Sequence, residues 1–351
     1  MTYREEDDKN SLALFRGVLK ELPVFTREFF LSKNELAAKT KLGYARDLKL
    51  FFNFLYEEVS EFEGKSSKTF TLEDLKKVEA SHIREFLAYL DFYINEDGTK
   101  ELTNHRKAKA RKLAAIRGMF KYFFMEEKID SNPAERVESI SQKKKDSIIR
   151  LEPDEVAKLL DLVETGNGLT KKQQEYHSHN VKRDLAIMTV FLGCGLRVSE
   201  CVGIDITDVD FNVNGIRVNR KGNKTMVVYF GEEVEKALKD YMAERQEIEA
   251  LPGHENALFL SMQKKRIGVR AVQQLVKKYK EQVVPLKKIS PHKLRSTYGT
   301  TLYQETNDIY LVAAVLGHND VNTTKRYYAD MSEEYRRRAA GAVKLREDDE
   351  E

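Results

Sequence analysis

The sequence predicts a mainly α-helical protein with one small β-hairpin, divided into two domains. Its 351 residues are enough for two domains of ordinary size. Apolar side chains recur at helical spacing through residues 40–127 and again from Glu232 onward. Between these regions, two β-rich runs at 216–219 and 225–230 flank a Gly-Asn pair, which is typical of a hairpin turn. With 41% hydrophobic residues, the chain is too apolar to be disordered.

Three helices are predicted in the first half. Residues 40–58 and 81–95 each carry an apolar stripe, and residues 104–125 form the third helix. This third helix combines an apolar stripe with seven Lys or Arg and no Asp or Glu. Its basic surface is either an ordinary solvated face or a contact for nucleic-acid phosphates. The seven basic residues are Arg106, Lys107, Lys109, Arg111, Lys112, Arg117 and Lys121.

The boundaries follow from changes in composition. Residues 139–150 are polar and basic with little to bury, which favours a linker. The last five residues are all acidic and offset part of the positive charge, so the net charge is only +3. The predicted regions are a polar N-terminal segment (1–20), a helical domain (21–138), the linker (139–150), a second domain (151–343) and an acidic tail (344–351).

Several classes of protein are excluded by composition. No apolar run approaches the roughly 18 residues that a membrane span needs, and the polar, acidic N-terminus does not resemble a secretory signal. We therefore expect a cytoplasmic protein without a membrane partner. Cys194 and Cys201 are too few for a disulfide framework or a cysteine-based zinc site, and are expected to be small buried hydrophobes.

The second half opens with a predicted helix at Pro153, followed by a polar loop at 164–180. His177 and His179 in this loop have metal-ligand spacing, but no companion ligands stand nearby, so we do not expect a metal there. A further helix is predicted from Arg183 to the glycine-rich break at 193–195.

Four short segments of the second half stand out for their chemistry. They are G-L-R-V-S-E at 195–200, R-K-G-N-K at 220–224, P-H-K-L-R at 291–295, and L-G-H at 316–318 with a tyrosine pair nine residues after the histidine. Each is weak evidence alone, because arginines, histidine pairs and turn lysines are common. Together they supply the groups that attack on a phosphodiester requires.

Phosphodiester cleavage needs cations on the non-bridging oxygens, a nucleophile and an acid for the leaving oxygen. Two arginines can hold the phosphate by bidentate hydrogen bonds. A tyrosine hydroxyl can attack if a neighbouring group takes its proton, and a lysine on a hairpin can protonate the leaving 5′-oxygen. Histidine can transfer protons or donate a further hydrogen bond. No cluster of carboxylates in the sequence suggests two-metal catalysis.

The order Arg, Lys, His-x-x-Arg, His, Tyr resembles that of the tyrosine recombinase (phage integrase) family, over about residues 150–335. Within the family the chain is most similar to the Xer recombinases, and among these to the single-recombinase (XerS) branch. The resemblance implies a helical core-binding domain followed by an α+β catalytic domain. It also implies that the two domains grip opposite faces of a DNA duplex.

The resemblance assigns a role to each motif residue. Arg197 and Arg295 would clamp the phosphate, Lys221 would be the general acid, His292 would assist proton transfer and His318 would bind the phosphate. Tyr327 would attack to give a 3′-phosphotyrosyl link. Glu200 matches the acidic position that supports the site. No metal or organic cofactor is implied.

Two of these assignments have close alternatives. Tyr327 and Tyr328 are adjacent, and the family spacing from His318 selects Tyr327. Lys221 and Lys224 both lie in the hairpin, and the residue before the Gly-Asn turn corresponds to the family's catalytic lysine.

The resemblance implies a site-specific DNA recombinase that exchanges strands between two sites through a Holliday junction. The assembly would be a homotetramer on double-stranded DNA, with an amphipathic helix at 331–343 docking either on its own domain or into a neighbour. A DNA translocase or another accessory factor is a further possible partner. The biological role would be chromosome-dimer resolution. The alternatives are integration and excision of a mobile element, a type IB topoisomerase, or a catalytically silent DNA-binding factor.

Overall fold

A computed structural model describes residues 3–95, 97–140, 149–220, 224–317 and 321 of the chain. The chain divides into two compact units, Met1–Lys145 and Asp146–Glu351. Most described residues are helical, and the strands form small antiparallel sheets. The predicted fold class, mainly α with a small β component in a two-domain architecture, is confirmed.

The first unit is built from six α-helices and one short hairpin within its described residues. Short 3-10 turns lie at Ser60–Phe62 and Pro133–Arg136. The hairpin was not predicted; it pairs β1 (Tyr93–Ile94) with β2 (Glu101–Leu102). The helices are α1 (Tyr3–Leu19), α2 (Thr26–Ser32), α3 (Ala38–Glu58), α4 (Leu72–Lys76), α5 (Ala80–Tyr89) and α6 (Arg106–Met125).

Aromatic side chains form the centre of the first unit. Phe51 of α3, Phe86 of α5 and Phe120 of α6 are fully buried, and the rings of Phe51 and Phe86 meet edge to face with centroids 5.2 Å apart. Such contacts contribute beyond the burial of apolar area. Helix α1 packs against α3 and buries Phe15, so the segment expected to be a separate polar region lies within the compact unit.

Charged side chains of α6 tie it to its neighbours. Lys112 is only 7% exposed; its Nζ lies 3.0 Å from Asn104 Oδ1 and 3.7 Å from Asp47 Oδ1. Asp47, buried on α3, also accepts a hydrogen bond from Arg111. Burial raises the pKa of Asp47 and lowers that of Lys112, and in each case the opposite charge of the partner acts against this effect. Arg117 donates to the carbonyls of residues 134 and 137.

The second unit contains eight α-helices and a three-stranded sheet within the described residues. A 3-10 turn covers Ile206–Asp208. The strands are β3 (Val209–Asp210), β4 (Gly215–Arg220) and β5 (Lys224–Tyr229). The helices are α7 (Pro153–Thr165), α8 (Lys171–Ser178), α9 (Val181–Cys194), α10 (Val198–Val202), α11 (Glu232–Gln246), α12 (Val269–Val283), α13 (Pro291–Thr306) and α14 (Ile309–Leu316).

Helix α9 is the centre of the second unit. Its residues Ile187, Val190 and Phe191 are fully buried, and α7, α11 and α13 pack around it. A helix that is apolar on most of its surface is expected at the centre of a domain. The cysteines are buried beside it, Cys194 at the end of α9 and Cys201 in α10, as predicted.

The sheet is antiparallel, in the order β3-β4-β5. Ile216 and Val218 of β4 face the interior, while Arg217 and Asn219 are exposed. The predicted pairing of the two longer strands is confirmed, whereas β3 was not predicted. The last pair of the hairpin joins Arg220 to Lys224, and the turn residues 221–223 lie outside the described residues.

The expectation of a loop over 164–180 is wrong, because α8 lies inside it. Thr170 and Gln173 form a capping box that starts this helix, so its polar sequence is stabilised from its first turn. His177 is buried, with Nε2 2.7 Å from the Val163 carbonyl oxygen, and thus ties α8 to α7. Among the described residues no three His, Cys, Asp or Glu are grouped as metal ligands, and no helix is long and apolar enough to cross a membrane.

The ion pairs of α6 make a testable contrast. Asp47→Ala leaves Lys112 buried without its carboxylate, so the free energy of unfolding should fall by about 3 kcal/mol. Asp91→Ala removes the exposed partner of Lys109, and should change stability little because solvent screens that pair. Urea unfolding followed by far-UV circular dichroism measures both; equal losses would contradict the assignment of Asp47 as a buried partner.

Candidate active site

The candidate site is built around the C-terminal ends of two helices. Helices α9 and α14 both end in a left-handed glycine, Gly195 (φ 61°) and Gly317 (φ 59°). A Cβ on Gly195 would lie 2.3 Å from a ring carbon of Tyr298, so the conformation and the space both require glycine. The carbonyl oxygens at such helix ends lack helical partners and carry the negative end of the helix dipole.

Arg295 caps both helix ends at once. It lies one turn into α13 and is only 3% exposed. Its guanidinium donates to the Gly195 carbonyl oxygen at 2.6 Å and to the Leu316 carbonyl oxygen. A planar fork of donors can bridge two carbonyls in this way, whereas a lysine ammonium has no such fixed geometry.

Two more arginines donate to the end of α14. Arg197, the residue before α10, donates from NH2 to the Gly317 carbonyl oxygen at 3.2 Å. Arg220, the last residue of β4, donates from NH2 to the Val315 carbonyl oxygen at 2.7 Å. The arginine side chain of Arg220 is 7% exposed, while that of Arg197 is 38% exposed. Arg197 is therefore the more accessible of these two guanidiniums.

Glu200 lies among all three guanidiniums. Its Oε1 accepts a hydrogen bond from Arg197 NH1 at 2.7 Å and lies 3.9 Å from Arg220 Nε. Its Oε2 lies 3.7 Å from Arg295 NH1 and accepts from the Arg197 backbone N–H at 2.8 Å. The carboxylate is 7% exposed, so its partners are protein groups. It fixes the three side chains relative to one another.

The cluster has more positive than negative charge. Three arginines surround one glutamate, and the pKa of Arg220 is lowered by burial and, to a smaller extent, by the positive charge of Arg197, against the opposing effect of Glu200. Burying unbalanced cations is costly in the absence of an anion. The arrangement is therefore suited to receive an anion with several oxygen acceptors, such as a phosphodiester.

His292 stands at the second position of α13, one turn before Arg295. Although part of its ring is open to solvent, desolvation lowers its pKa, and the charges of Arg295, Lys293 and Arg197 lower it further. A lowered pKa favours the neutral imidazole at neutral pH. Neutral imidazole can accept a proton, which is what a general base requires.

The structure thus brings together four of the seven residues expected at the site, namely Arg197, Glu200, His292 and Arg295. Lys221, His318 and Tyr327 lie outside the described residues, as does the helix expected at 331–343.

Arg220 was missed by sequence reasoning. It directly precedes the predicted turn, and strand alternation places it on the same inward face as Ile216 and Val218. A charged residue at an inward position of a strand was the available signal.

Of the seven basic residues of α6, four are held by contacts within the first unit. Lys109 Nζ lies 2.7 Å from Asp91, and Arg111, Lys112 and Arg117 have the partners given above. The other three, Arg106, Lys107 and Lys121, are exposed.

The arginine cluster is suited to bind an anion with several oxygen acceptors, and comparison with known proteins identifies the class of the protein. Residues 149–334 match the phage integrase family. The tyrosine recombinase XerC of Caldanaerobacter subterraneus subsp. tengcongensis is 35% identical over 325 residues, which cover 89% of this chain and 84% of the relative. The chain belongs to the phage integrase family and is a Xer-like tyrosine site-specific recombinase. The similarity to XerC does not distinguish the XerS branch from the other Xer recombinases.

Solved structures share the fold. The XerH site-specific recombinase bound to a palindromic difH substrate superposes with a TM-score of 0.64 at 20% identity, covering 87% of this chain and 80% of that chain. The Tn1549 transposon integrase in complex with circular intermediate DNA gives a TM-score of 0.63 at 20% identity, covering 94% and 98%. At this identity the likeness extends to the fold alone.

The lowered pKa of His292 can be measured by following its ring proton in an NMR titration. We expect a value below the ordinary histidine value of about 6.5. Lys293→Gln removes one of the nearby positive charges and should raise the pKa, whereas Lys288→Gln, before the helix begins, should leave it unchanged. A pKa at or above the ordinary value would show that the imidazole is not held neutral.

Proposed function

We propose that this protein recombines two DNA sites by forming a 3′-phosphotyrosyl intermediate at Tyr327 and exchanging strands through a Holliday junction. The observation that carries the proposal is the cluster in which the buried carboxylate of Glu200 holds Arg197 and Arg295 beside His292. Similarity to XerC favours chromosome-dimer resolution as the biological role. Because the Tn1549 transposon integrase has the same fold, excision and integration of a mobile element is kept as a second candidate.

In the proposed cleavage, the scissile phosphate replaces solvent at the arginine cluster. Arg197 and Arg295 donate to its non-bridging oxygens as negative charge builds during attack. Because these guanidiniums are already oriented by carbonyl oxygens and by Glu200, little reorganisation is needed in the transition state.

Two proton transfers accompany the exchange of bonds at phosphorus. The Tyr327 hydroxyl forms the new O–P bond and passes its proton to neutral His292, while His318 donates a hydrogen bond to the phosphate. The bond from phosphorus to the 5′-oxygen breaks, and Lys221 protonates that oxygen. The phosphotyrosyl link conserves the bond energy, so a 5′-hydroxyl of the partner strand can reverse the reaction. The proposal requires no metal or organic cofactor.

DNA is the proposed partner of both units. The exposed residues Arg106, Lys107 and Lys121 supply phosphate contacts from α6. Proteins of the same fold were solved bound to a palindromic difH substrate and in complex with circular intermediate DNA, which supports a DNA substrate. We further propose a homotetramer on two sites, with residues 331–343 docking into a neighbouring copy. Control by a translocase or another accessory factor and a cytoplasmic location belong to the same proposal.

The nucleophile can be tested with nicked suicide duplexes carrying candidate sites. Wild-type protein should leave a covalent adduct on a denaturing gel, because the short fragment between the scissile phosphate and the nick diffuses away with its 5′-hydroxyl and religation is prevented. Tyr327→Phe should abolish the adduct and retain DNA binding, and Tyr328→Phe is the matched control that should retain the adduct. Loss of the adduct in Tyr328→Phe with Tyr327→Phe unaffected would reverse the assignment.

The division of α6 into exposed and internal cations predicts two different phenotypes. Lys107→Ala and Lys121→Ala should weaken DNA binding on all sequences about equally and reduce the slope of log affinity against log salt by about 1 per contact. Lys112→Ala should instead lower the stability of the fold with little change in that slope. Titrations over a range of salt concentrations measure the slopes. An unchanged slope in both exposed variants would remove α6 from the interface.

A further inference from the structure

Arg220 is a buried arginine at the point where the hairpin strand ends. It is the last residue of β4 and pairs across the hairpin with Lys224, the first residue of β5. Its side chain points to the interior, as those of Ile216 and Val218 do, and is 7% exposed. The next residue in the sequence is Lys221.

The contacts of Arg220 join the hairpin to the end of α14. Its NH2 donates to the Val315 carbonyl oxygen at 2.7 Å. The guanidinium also lies so close to Gly317 that a Cβ there would be 1.6 Å from NH1. Even the smallest side chain at Gly317 would displace it, so the glycine of the L-G-H motif allows this close approach.

Arg220 also reaches the centre of the site. Its Nε lies 3.9 Å from Glu200 Oε1, the oxygen that accepts from Arg197 at 2.7 Å. One guanidinium thus connects the base of the hairpin to both the helix end and the phosphate-binding cluster.

We propose that Arg220 is a positioning residue, which fixes the base of the β4–β5 hairpin against α14 and Glu200 so that the next residue, Lys221, reaches the leaving 5′-oxygen. This inference rests on the proposed function, in which Lys221 is the general acid. Arg220 itself need not touch the DNA.

The physical reason is that the position of a residue depends on how firmly the neighbouring backbone is held. A lysine side chain has many rotamers and little fixed geometry, so its position depends on the backbone that carries it. Misplacement of a reacting group by about 1 Å can cost about 100-fold in rate. An arginine suits the anchoring role because its fork can donate to a carbonyl oxygen while it lies beside a carboxylate.

The test compares two leaving groups on the nicked duplex that gives the strongest adduct with the wild-type protein. One version has the natural 5′-oxygen at the scissile bond and the other has sulfur in its place. A thiol with a pKa of about 8.5 leaves as the thiolate without protonation, whereas an alkoxide does not. Sulfur therefore restores cleavage to variants that lack only the acid step.

Arg220→Gln should slow cleavage of the oxygen substrate about 100-fold and cleave the sulfur substrate close to the wild-type rate. Lys221→Ala should show the same rescue. Arg197→Gln is the matched control: it removes another guanidinium at Glu200, one that clamps the phosphate, and should be slow on both substrates. Arg220→Lys keeps the positive charge but lacks the planar guanidinium, so it should show a smaller defect on the oxygen substrate and the same rescue by sulfur. If Arg220→Gln lowers the melting temperature of the protein, Arg220→Lys replaces it in the comparison.

Three results would overturn the proposal. Equal defects of the Arg220 variants on oxygen and sulfur would mean that Arg220 acts through the phosphate clamp. Wild-type cleavage of the oxygen substrate by both variants would remove any role. Failure of sulfur to rescue Lys221→Ala would instead refute the general-acid assignment in the proposed function, and the positioning role with it.

Discussion

The second unit depends on one carboxylate shared by three guanidiniums. Arg197, Arg220 and Arg295 come from a helix start, a strand end and a helix interior that are far apart in the sequence, and Glu200 lies within 4 Å of each. Two like charges about 5 Å apart repel by about 3 kcal/mol at an effective dielectric constant of about 20. Glu200 offsets this repulsion, so the same side chain stabilises the packing of these three elements and arranges the site.

The same shortage of negative charge links the fold to its substrate. The cluster has more cations than anions, and in the proposed reaction a DNA phosphate supplies oxygen acceptors where the cluster is most accessible, at Arg197. Desolvation and the positive charges of Arg295, Lys293 and Arg197 lower the pKa of His292, which favours the neutral imidazole that the proposed proton transfer needs. In the proposed mechanism, phosphate binding and proton transfer therefore depend on one electrostatic arrangement.

The sequence predicted the structure correctly where local pattern determines it. It did not where contacts between residues distant in the sequence determine it. The apolar stripes predicted the core around Phe51 and Phe86, and the hairpin followed from its Gly-Asn turn. Helix α8 was missed because its sequence is polar, although Thr170 and Gln173 form a recognisable cap. The charges of α6 could not be sorted from the sequence, since what makes Lys112 internal is an aspartate on another helix. Motif order indicated that Arg197, Glu200, His292 and Arg295 lie together, but not that Arg220 joins them.

The hydrogen-bond partners of the arginines explain why the cluster keeps a net positive charge. Were each arginine paired with its own carboxylate, the site would be neutral and its field would vanish at a short distance. Main-chain carbonyls at the ends of α9 and α14 instead accept hydrogen bonds from Arg295 and Arg220. A carbonyl is a dipole: it orients a guanidinium without cancelling its charge. Helix ends therefore help to position these arginines, one glutamate holds them together, and the remaining positive charge is available to the phosphate of the proposed DNA substrate.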